Sequence, residues 1–259
     1  MLECSVNTNV DKTRSISGYL TKEDNMQKIA VFLFDFTGIM AQPWADAGYL
    51  CYCFDGQHPK GVTKSNHKNI LNVGMWFLNS PDSIAENIKN IKLITGDRVD
   101  FLFGFPECTD LAVSGAAHFS RKKELNPLFQ DEAMILVRLV ESLGESYGCK
   151  WALENPVSVI SSKWRKPDFS FHPYEYGGYL PGNDVHPIYP DYIKPMDAYP
   201  KKTCIWSGGG FVEPVRRFVH CEPGYSDQHK KLGGRSLKTK NIRSATPRGF
   251  AKAVFLANS

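Results

Sequence analysis

Continuous apolar runs that alternate with helical patterns are the feature that most constrains the fold of this chain. Four such runs are typical of β-strands covered on both faces: 29–35 (IAVFLFD), 49–55 (YLCYCFD), 99–105 (VDFLFGF) and 150–155 (KWALEN). Parallel strands need long crossover connections, which helices provide. The alternation therefore predicts an α/β fold with a doubly wound, mostly parallel, Rossmann-like sheet, whose ligands bind at the carboxyl ends of the strands.

Helical segments are predicted between and after these strands. A short one ends at Gly48, and another covers 81–90. Asn126 followed by Pro127 is a favourable helix start, and a glycine ends the apolar stripe that follows. The last segment, 246–259 (TPRGFAKAVFLANS), again has helical spacing.

Changes in residue composition along the chain divide the 259 residues into four parts. A polar amino-terminal segment, 1–28, precedes the predicted core at 29–156. Residues 157–243 are first rich in Pro, Gly, Tyr and His and then basic and turn-rich, so we expect a loop-rich recognition region there. The final segment, 244–259, is predicted to return to the core as a helix.

Composition narrows the class of protein without fixing its partner. A net charge of +4 and a pI near 8.6 fit a polyanionic partner, but many enzymes without one are equally basic. No segment approaches the roughly 20 apolar residues of a membrane span, and the first 28 residues lack the apolar stretch of a signal peptide. The seven cysteines are an odd number without a CxxC unit. We therefore expect a cytoplasmic protein with reduced thiols, not bound to membrane, and a monomer.

Two groups of metal-ligand side chains match no compact zinc signature. The first is the pair Cys51 and Cys53 on one predicted strand. The second lies in the loop-rich region and consists of His172, Glu175, Asp184 and His186. We therefore expect no metal site.

The turn after the first predicted strand has features of a nucleoside site. The stretch 34–38 (FDFTG) supplies a single glycine, Gly38, which allows close approach of a ligand to backbone N–H groups. Asp55 closes the second strand 17 residues later, where an acid accepts hydrogen bonds from ribose hydroxyls. One glycine instead of three argues against a pyrophosphate loop and suits S-adenosylmethionine (SAM). The alternative is an ordinary strand–turn–helix with a surface aspartate.

A thiol and a carboxyl group follow two of the predicted strands. Cys108 comes just after the run 99–105, and Glu154 ends the run 150–155. Attack on an electron-poor ring requires this pair, because the thiolate adds to the ring while the acid protonates a ring nitrogen. A lone cysteine is more often a small core residue, and a glutamate at a strand end is often only solvated.

Several segments, in the same order along the chain, resemble the motifs of the DNA (cytosine-5) methyltransferase family. They are FDFTGIMAQPWADAG, the acid Asp55, TGDRVDFLFGFP, PECTDLA, the pair Glu154–Asn155, YPKKTCIW and RSATPRGFAKAVFLAN. Together they span residues 30–258 and look most like divergent members carried by bacteriophages, which would place the protein in the host cytoplasm.

The resemblance implies a role for each matching residue. Cys108 would attack carbon 6 of cytosine, Glu154 would hold the exocyclic amine and protonate N3, and Asn155 would fix the adjoining loop. The methyl group of SAM would then pass to carbon 5 of a base flipped out of duplex DNA or presented in a single strand. The residues implied for SAM binding are Phe34, Asp35, Phe36, Thr37, Gly38, Asp55, Asp97, Phe105 and Thr246.

Cations in the loop-rich region are candidates for contacts with nucleic acid. Those before residue 200 are interleaved with aromatic residues that suit base stacking, and those after 228 form a basic run. The candidates are Arg165, Lys201, Lys202, Lys230, Lys231 and Arg235. The alternatives are an aromatic surface module and a solvated loop.

Three departures from the family pattern leave alternatives open. Glu107 replaces the proline before the nucleophile, and a carboxylate there disfavours a thiolate. Lys201, Lys202 and Thr203 replace glutamine and arginines, and only about 40 residues remain for sequence recognition. A related acceptor (a modified base, single-stranded nucleic acid or a free pyrimidine nucleotide) is one alternative. A nucleic-acid-binding protein that keeps the SAM fold without turnover is another.

Overall fold

A seven-stranded sheet forms the centre of the protein in a computed structural model that describes residues 27–234 and 236–259. The strands are β1 (Ile29–Leu33), β2 (Leu50–Lys64), β3 (Ile70–Gly74), β4 (Phe101–Gly104), β5 (Lys150–Pro156), β6 (Phe169–Phe171) and β7 (Thr203–Gly208). Their order across the sheet is β3-β2-β1-β4-β5-β7-β6. The predicted α/β fold with a mostly parallel, Rossmann-like sheet is confirmed.

Eight α-helices accompany the sheet in the described part of the chain. They are α1 (Gln42–Asp46), α2 (Ser83–Thr95), α3 (Phe119–Leu125), α4 (Phe129–Tyr147), α5 (Ile160–Lys163), α6 (Asp227–Lys231), α7 (Leu237–Ser244) and α8 (Arg248–Asn258). None of these helices is long and apolar enough to cross a membrane.

Two layers of apolar side chains hold the helices on opposite faces of the sheet. Trp44 of α1 and Phe250 of α8 belong to one buried cluster with strand residues such as Phe103. Ile91 of α2 and Val140 of α4 belong to the other cluster. Burial on both faces explains why β1 and β4 are uninterrupted apolar runs.

One of the seven strands, β7, runs against the others. β1 to β5 pair in parallel, whereas β7 is antiparallel to β5 and β6 is antiparallel to β7. The second half of β2 also reverses, and residues 60–64 pair with β3 in reverse order, with Val62 opposite Val73 and Lys64 opposite Leu71. An apolar run predicts a strand but carries no information on the direction of its partner, so these reversals lay beyond the sequence.

The predicted bounds of β1, β4, β5 and α8 agree with the structure to within a few residues, whereas β2 and α2 continue past their predicted ends, to Lys64 and Thr95. α4 begins at Phe129 rather than at Pro127, because the Asn126 side chain accepts a hydrogen bond from the N–H of Leu128 (3.0 Å) outside the helix. Gly148 ends α4 in a left-handed conformation (φ 63°), as expected. Of the polar segment 1–28, residues 1–26 lie outside the described residues.

The region from 157 to 200, called the insert here, packs on α8 through a glycine. A Cβ atom on Gly249 would lie 2.3 Å from the carbonyl oxygen of Tyr176 in the insert. The N–H of Gly249 also donates a hydrogen bond to the carboxylate of Asp197 (2.8 Å). The backbones of the insert and of α8 therefore meet where no side chain fits.

We expect Gly249→Ala to lower the free energy of unfolding by about 1–3 kcal/mol, because a backbone atom must move to admit the methyl group. Gly182→Ala is the matched control, since a Cβ there meets no atom within 4 Å. Urea unfolding of both variants measures the difference. Equal stability of the two variants would contradict the close packing of the insert on α8.

Candidate active site

Cys108 and Glu154 lie at the same edge of the sheet. β4 and β5 are parallel, with Gly104 opposite Leu153, so the next residues, Phe105 and Glu154, reach the carboxyl edge together. Cys108 follows Phe105 by three residues in the loop after β4. This is the edge at which open α/β sheets bind ligands.

Hydrogen bonds join the loop after β4 to the end of β5. The buried Asn155 side chain donates from Nδ2 to the carbonyl oxygen of Pro106 (2.9 Å). Further along, Val113 N–H donates to Val157 (3.0 Å) and Val159 N–H donates to Leu111 (3.0 Å). Asn155 thus fixes the loop that carries Cys108, in the position that the sequence resemblance implies for it.

Four predicted site residues line one small cavity. Glu154 and Phe105 reach it from the strand ends, Lys201 reaches it from the chain just before β7, and Thr246 precedes α8. Lys201 was expected to contact nucleic acid backbone, but it lies inside this cavity and donates from Nζ to the carbonyl oxygen of Arg243 at the end of α7 (2.8 Å). The cavity therefore combines a carboxyl group, an ammonium group and an aromatic ring.

The protein surroundings favour the neutral forms of both catalytic candidates. Loss of water raises the pKa of the Cys108 thiol, the Glu154 carboxylate raises it further, and the Lys201 ammonium opposes this. The Cys108 residue is nevertheless exposed to solvent. Burial raises the pKa of Glu154, and Lys201 again lowers it. Lys201 thus acts electrostatically on both groups, and it favours the thiolate.

Glu107 is directed towards other partners than the thiol. Its carboxylate accepts a hydrogen bond from the Thr109 hydroxyl (2.7 Å) and lies 3.7 Å from the ammonium of Lys240 on α7. It still raises the pKa of Cys108, but less than Glu154 does. The Glu107 carboxylate next to the Cys108 thiol is therefore partly neutralised.

The turn after β1 is held in a conformation that few residues adopt. Phe34 has a positive φ (60°), as does Gly38 (65°). Asp35 lies beneath the turn and accepts hydrogen bonds from Gly38 N–H (2.8 Å) and the Thr37 hydroxyl (3.2 Å). Burial raises the pKa of Asp35 to about 6. Asp35 was expected to contact SAM; the structure makes it a support of the turn, and Phe36 is the exposed member.

An aromatic side chain that the sequence reasoning missed lies beside Asp55. Asp55 ends the parallel part of β2 and is paired with Gly74, and its Oδ1 accepts from Gln57 N–H (2.7 Å). Trp76 follows β3 and is 79% exposed. Its ring packs so closely on Gly56 that a Cβ there would lie 2.3 Å away. β3 was not predicted, so nothing in the sequence placed Trp76 at this edge.

Asp97 does not join the other predicted cofactor residues. It precedes β4, whose first residue Phe101 is paired with Ala30 near the start of β1. Asp97 is therefore at the amino edge of the sheet, about 13 Å or a full strand length from Phe105. The expectation that it contacts the adenine side is corrected.

The candidate nucleic-acid contacts differ in their surroundings. Arg165 is engaged by the Asp168 carboxylate (2.8 Å) and the Ser207 carbonyl (2.8 Å), so it is a structural residue rather than a free phosphate contact. Lys231 pairs with Asp227 (3.0 Å). Lys202 and Lys230 are exposed. Arg235 lies outside the described residues.

The residues that were weighed as metal ligands have separate roles. Glu175 pairs with Arg216, Asp184 pairs with Arg248, and His186 accepts backbone hydrogen bonds through Nδ1. Among residues 27–234 and 236–259, no three His, Cys, Asp or Glu side chains are arranged to hold a metal ion.

Comparison with known proteins gives only distant similarity. No family model and no curated protein matches the chain. Among solved structures it is similar to two double mutants of a Serratia marcescens short-chain dehydrogenase/reductase, with 12% and 10% sequence identity and TM-scores of 0.31 and 0.30. Each alignment covers 47% of this chain, and the chain spans about half of the dehydrogenase, 50% and 51%. These values carry no argument about function.

Proposed function

We propose that the protein is a SAM-dependent methyltransferase that modifies carbon 5 of cytosine in DNA. The observation that carries the proposal is the convergence of Cys108, Glu154 and Lys201 at one strand edge, with Asn155 fixing the loop between them. A thiol, a buried acid and a cation form the set of groups that nucleophilic addition to a pyrimidine requires.

The order of the strands supports the same proposal. In dinucleotide-binding sheets the order is 3-2-1-4-5-6 with parallel strands. Here a reversed β7 lies between β5 and β6, so the sheet departs from the dinucleotide-binding arrangement. The single-glycine turn at Gly38 also suits a cofactor without a diphosphate.

The residues beside the carboxyl edge fit SAM in chemistry. The Asp55 carboxylate suits ribose hydroxyls, and the exposed Trp76 ring next to it offers an apolar face for a planar base. Phe36 and Thr246 would flank the methionine end. When bound, SAM supplies the electrophilic methyl group that carbon 5 accepts.

Cys108 and Glu154 act in sequence on the base. The thiolate sulfur of Cys108 donates an electron pair to form the bond to carbon 6, and Glu154 gives its proton to N3 as charge enters the ring. Carbon 5 gains the methyl group and then loses its proton to a proton acceptor. The bond between sulfur and carbon 6 breaks as that proton leaves. The electron pair returns to Cys108, and Glu154 recovers the proton from N3.

Incubation with SAM that carries a tritiated methyl group, together with DNA, tests the proposal. Label at carbon 5 of cytosine in DNA supports it. Label only in free pyrimidine nucleotides supports the related acceptor instead, which the short stretch of 39 residues between Gly208 and Arg248 favours. Binding of SAM with transfer to no acceptor would sink the enzymatic assignment and leave a binding protein.

Substitution of Lys201 tests the electrostatic part of the proposal. Lys201→Met is expected to move both limbs of the pH profile of kcat/KM to higher pH, because Lys201 lowers the pKa of Cys108 and of Glu154. The maximum should fall by about tenfold to a hundredfold, since a cation that faces the developing charge is lost. Lys201→Arg should restore both limbs, and Lys89→Met, which removes an exposed ammonium group from α2, is the matched control. An unshifted profile would contradict the role of Lys201.

A further inference from the structure

A second cleft, of about 590 Å³, opens on the α1 and α8 side of the sheet beside β3. Its volume is in the range of small-molecule sites. The turn 36–39 forms one wall and is shared with the predicted SAM site. Asp55, Phe105, Glu154 and Thr246 do not line it, so the cleft is distinct from the proposed catalytic cavity.

The lining of this cleft is basic. It contains Lys64, Arg248 and Lys252 and no acidic residue. Arg248 and Lys252 are four residues apart on α8 and so share a face of that helix, while Lys64 comes from the end of β2. Cations from separate elements around a concave surface attract an anion.

These cations retain capacity for a ligand. Lys64 and Lys252 form no hydrogen bond or ion pair with any residue that the structure describes. Arg248 contacts Asp184 through Nη2, but its Nε is buried and has no partner within the described ranges. A buried donor without a partner is unfavourable, and a bound anion would supply an acceptor.

The remaining walls are suited to an uncharged ring next to the anion. Phe36, Ile39, Leu180 and Ile188 supply apolar surface, and Asn66 supplies an amide beside Lys64. SAM has an ammonium and a sulfonium group against one carboxylate and so a net positive charge, and the cations of this cleft therefore favour an anion over it. We propose that the cleft binds a phosphate ester joined to a ring, from a free nucleotide or from the backbone of a nucleic acid strand.

Phenyl phosphate is the minimal probe for this site, with phenol as its neutral control. We expect calorimetric titration of the full chain to show saturable binding of phenyl phosphate and none of phenol. Lys64→Gln/Lys252→Gln should raise the Kd at least tenfold. Lys89→Gln/Lys123→Gln removes the same charge from exposed positions on α2 and α3 and should leave the Kd unchanged.

Competition then separates the two sources of the phosphate. Displacement of phenyl phosphate by 5′-dCMP supports a free nucleotide, and displacement only by a single-stranded 12-mer supports strand backbone. Displacement by neither, no binding of phenyl phosphate, or an equal Kd in both double variants overturns the inference. Methyl transfer is not measured in any arm, so the outcome does not depend on the proposed reaction.

Discussion

DNA that contains 5-fluorocytosine is expected to become covalently attached to Cys108 in the presence of SAM. Fluorine at carbon 5 cannot leave as a proton, so the bond between sulfur and carbon 6 cannot break after methylation. The adduct should survive denaturing electrophoresis, and peptide mass mapping should place it on Cys108. In the same protein, Cys108→Ser should abolish the adduct and reduce methyl transfer by about 10³-fold or more, because a hydroxyl is a far weaker nucleophile.

Cys221→Ser is the matched control for this experiment. Of the described cysteines, Cys108 is exposed and Cys221 is partly exposed, while Cys51, Cys53, Cys149 and Cys204 are buried. The control variant should form the adduct as the wild type does. An adduct that persists in Cys108→Ser, or none in the wild type beside an active control enzyme, would rule out Cys108 as the nucleophile.

Glu154→Gln is expected to reduce kcat/KM by about 10²- to 10⁴-fold, the usual contribution of a positioned acid. The shape of the pH profile should change as well. The active form of the wild type has a protonated Glu154 and a Cys108 thiolate, so the two groups together hold one proton. Activity therefore falls below the pKa of Glu154, where both groups are protonated, and above the pKa of Cys108, where neither is. Burial raises both of these pKa values. In Glu154→Gln only the thiol titrates, so the residual activity should rise with pH to a plateau and should not decline where the wild type does.

Glu107→Gln distinguishes the contribution of Glu107 from that of Glu154, the other carboxylate near the Cys108 thiol. Glu107 is exposed and held by Thr109 and Lys240, so we expect a change of less than about threefold, as for a surface substitution that shifts the free energy by about 0.5 kcal/mol. Activity on the acidic side of the pH profile should increase, because loss of the Glu107 charge lowers the pKa of Cys108. A larger loss in Glu107→Gln than in Glu154→Gln would reverse the assignment of the acid.

The sequence predicted the parallel half of the fold and the edge on which the site lies. The apolar runs around β1, β4 and β5 are local signals, and Gly148 ended α4 where its left-handed conformation requires glycine. The position of Glu154 near the end of one such run placed it correctly beside the loop of Cys108. These features depend on neighbours in the chain, which a sequence displays directly.

Long-range contacts account for what the sequence did not predict. Lys201 enters the cavity only because β7 runs antiparallel to β5, and Trp76 reaches Asp55 only because β3 lies at the outer side of β2. The prediction for Asp97 was wrong for the opposite reason. Asp97 is close to Phe105 along the chain, but the whole of β4 separates the two residues in space. No local pattern encodes which strands become neighbours or in which direction they run.

The hydrogen bond between Asn155 and Pro106 joins the loop of Cys108 to the strand end that carries Glu154. With the hydrogen bonds of Leu111 and Val113 to the chain after β5, the loop of Cys108 is tethered on both sides. Local opening that releases one loop must therefore release the other. We expect amide hydrogen exchange at 111–113 and 157–159 to slow or quicken together in any variant. A substitution that opens either loop would therefore displace the Cys108 thiol and the Glu154 carboxyl group together.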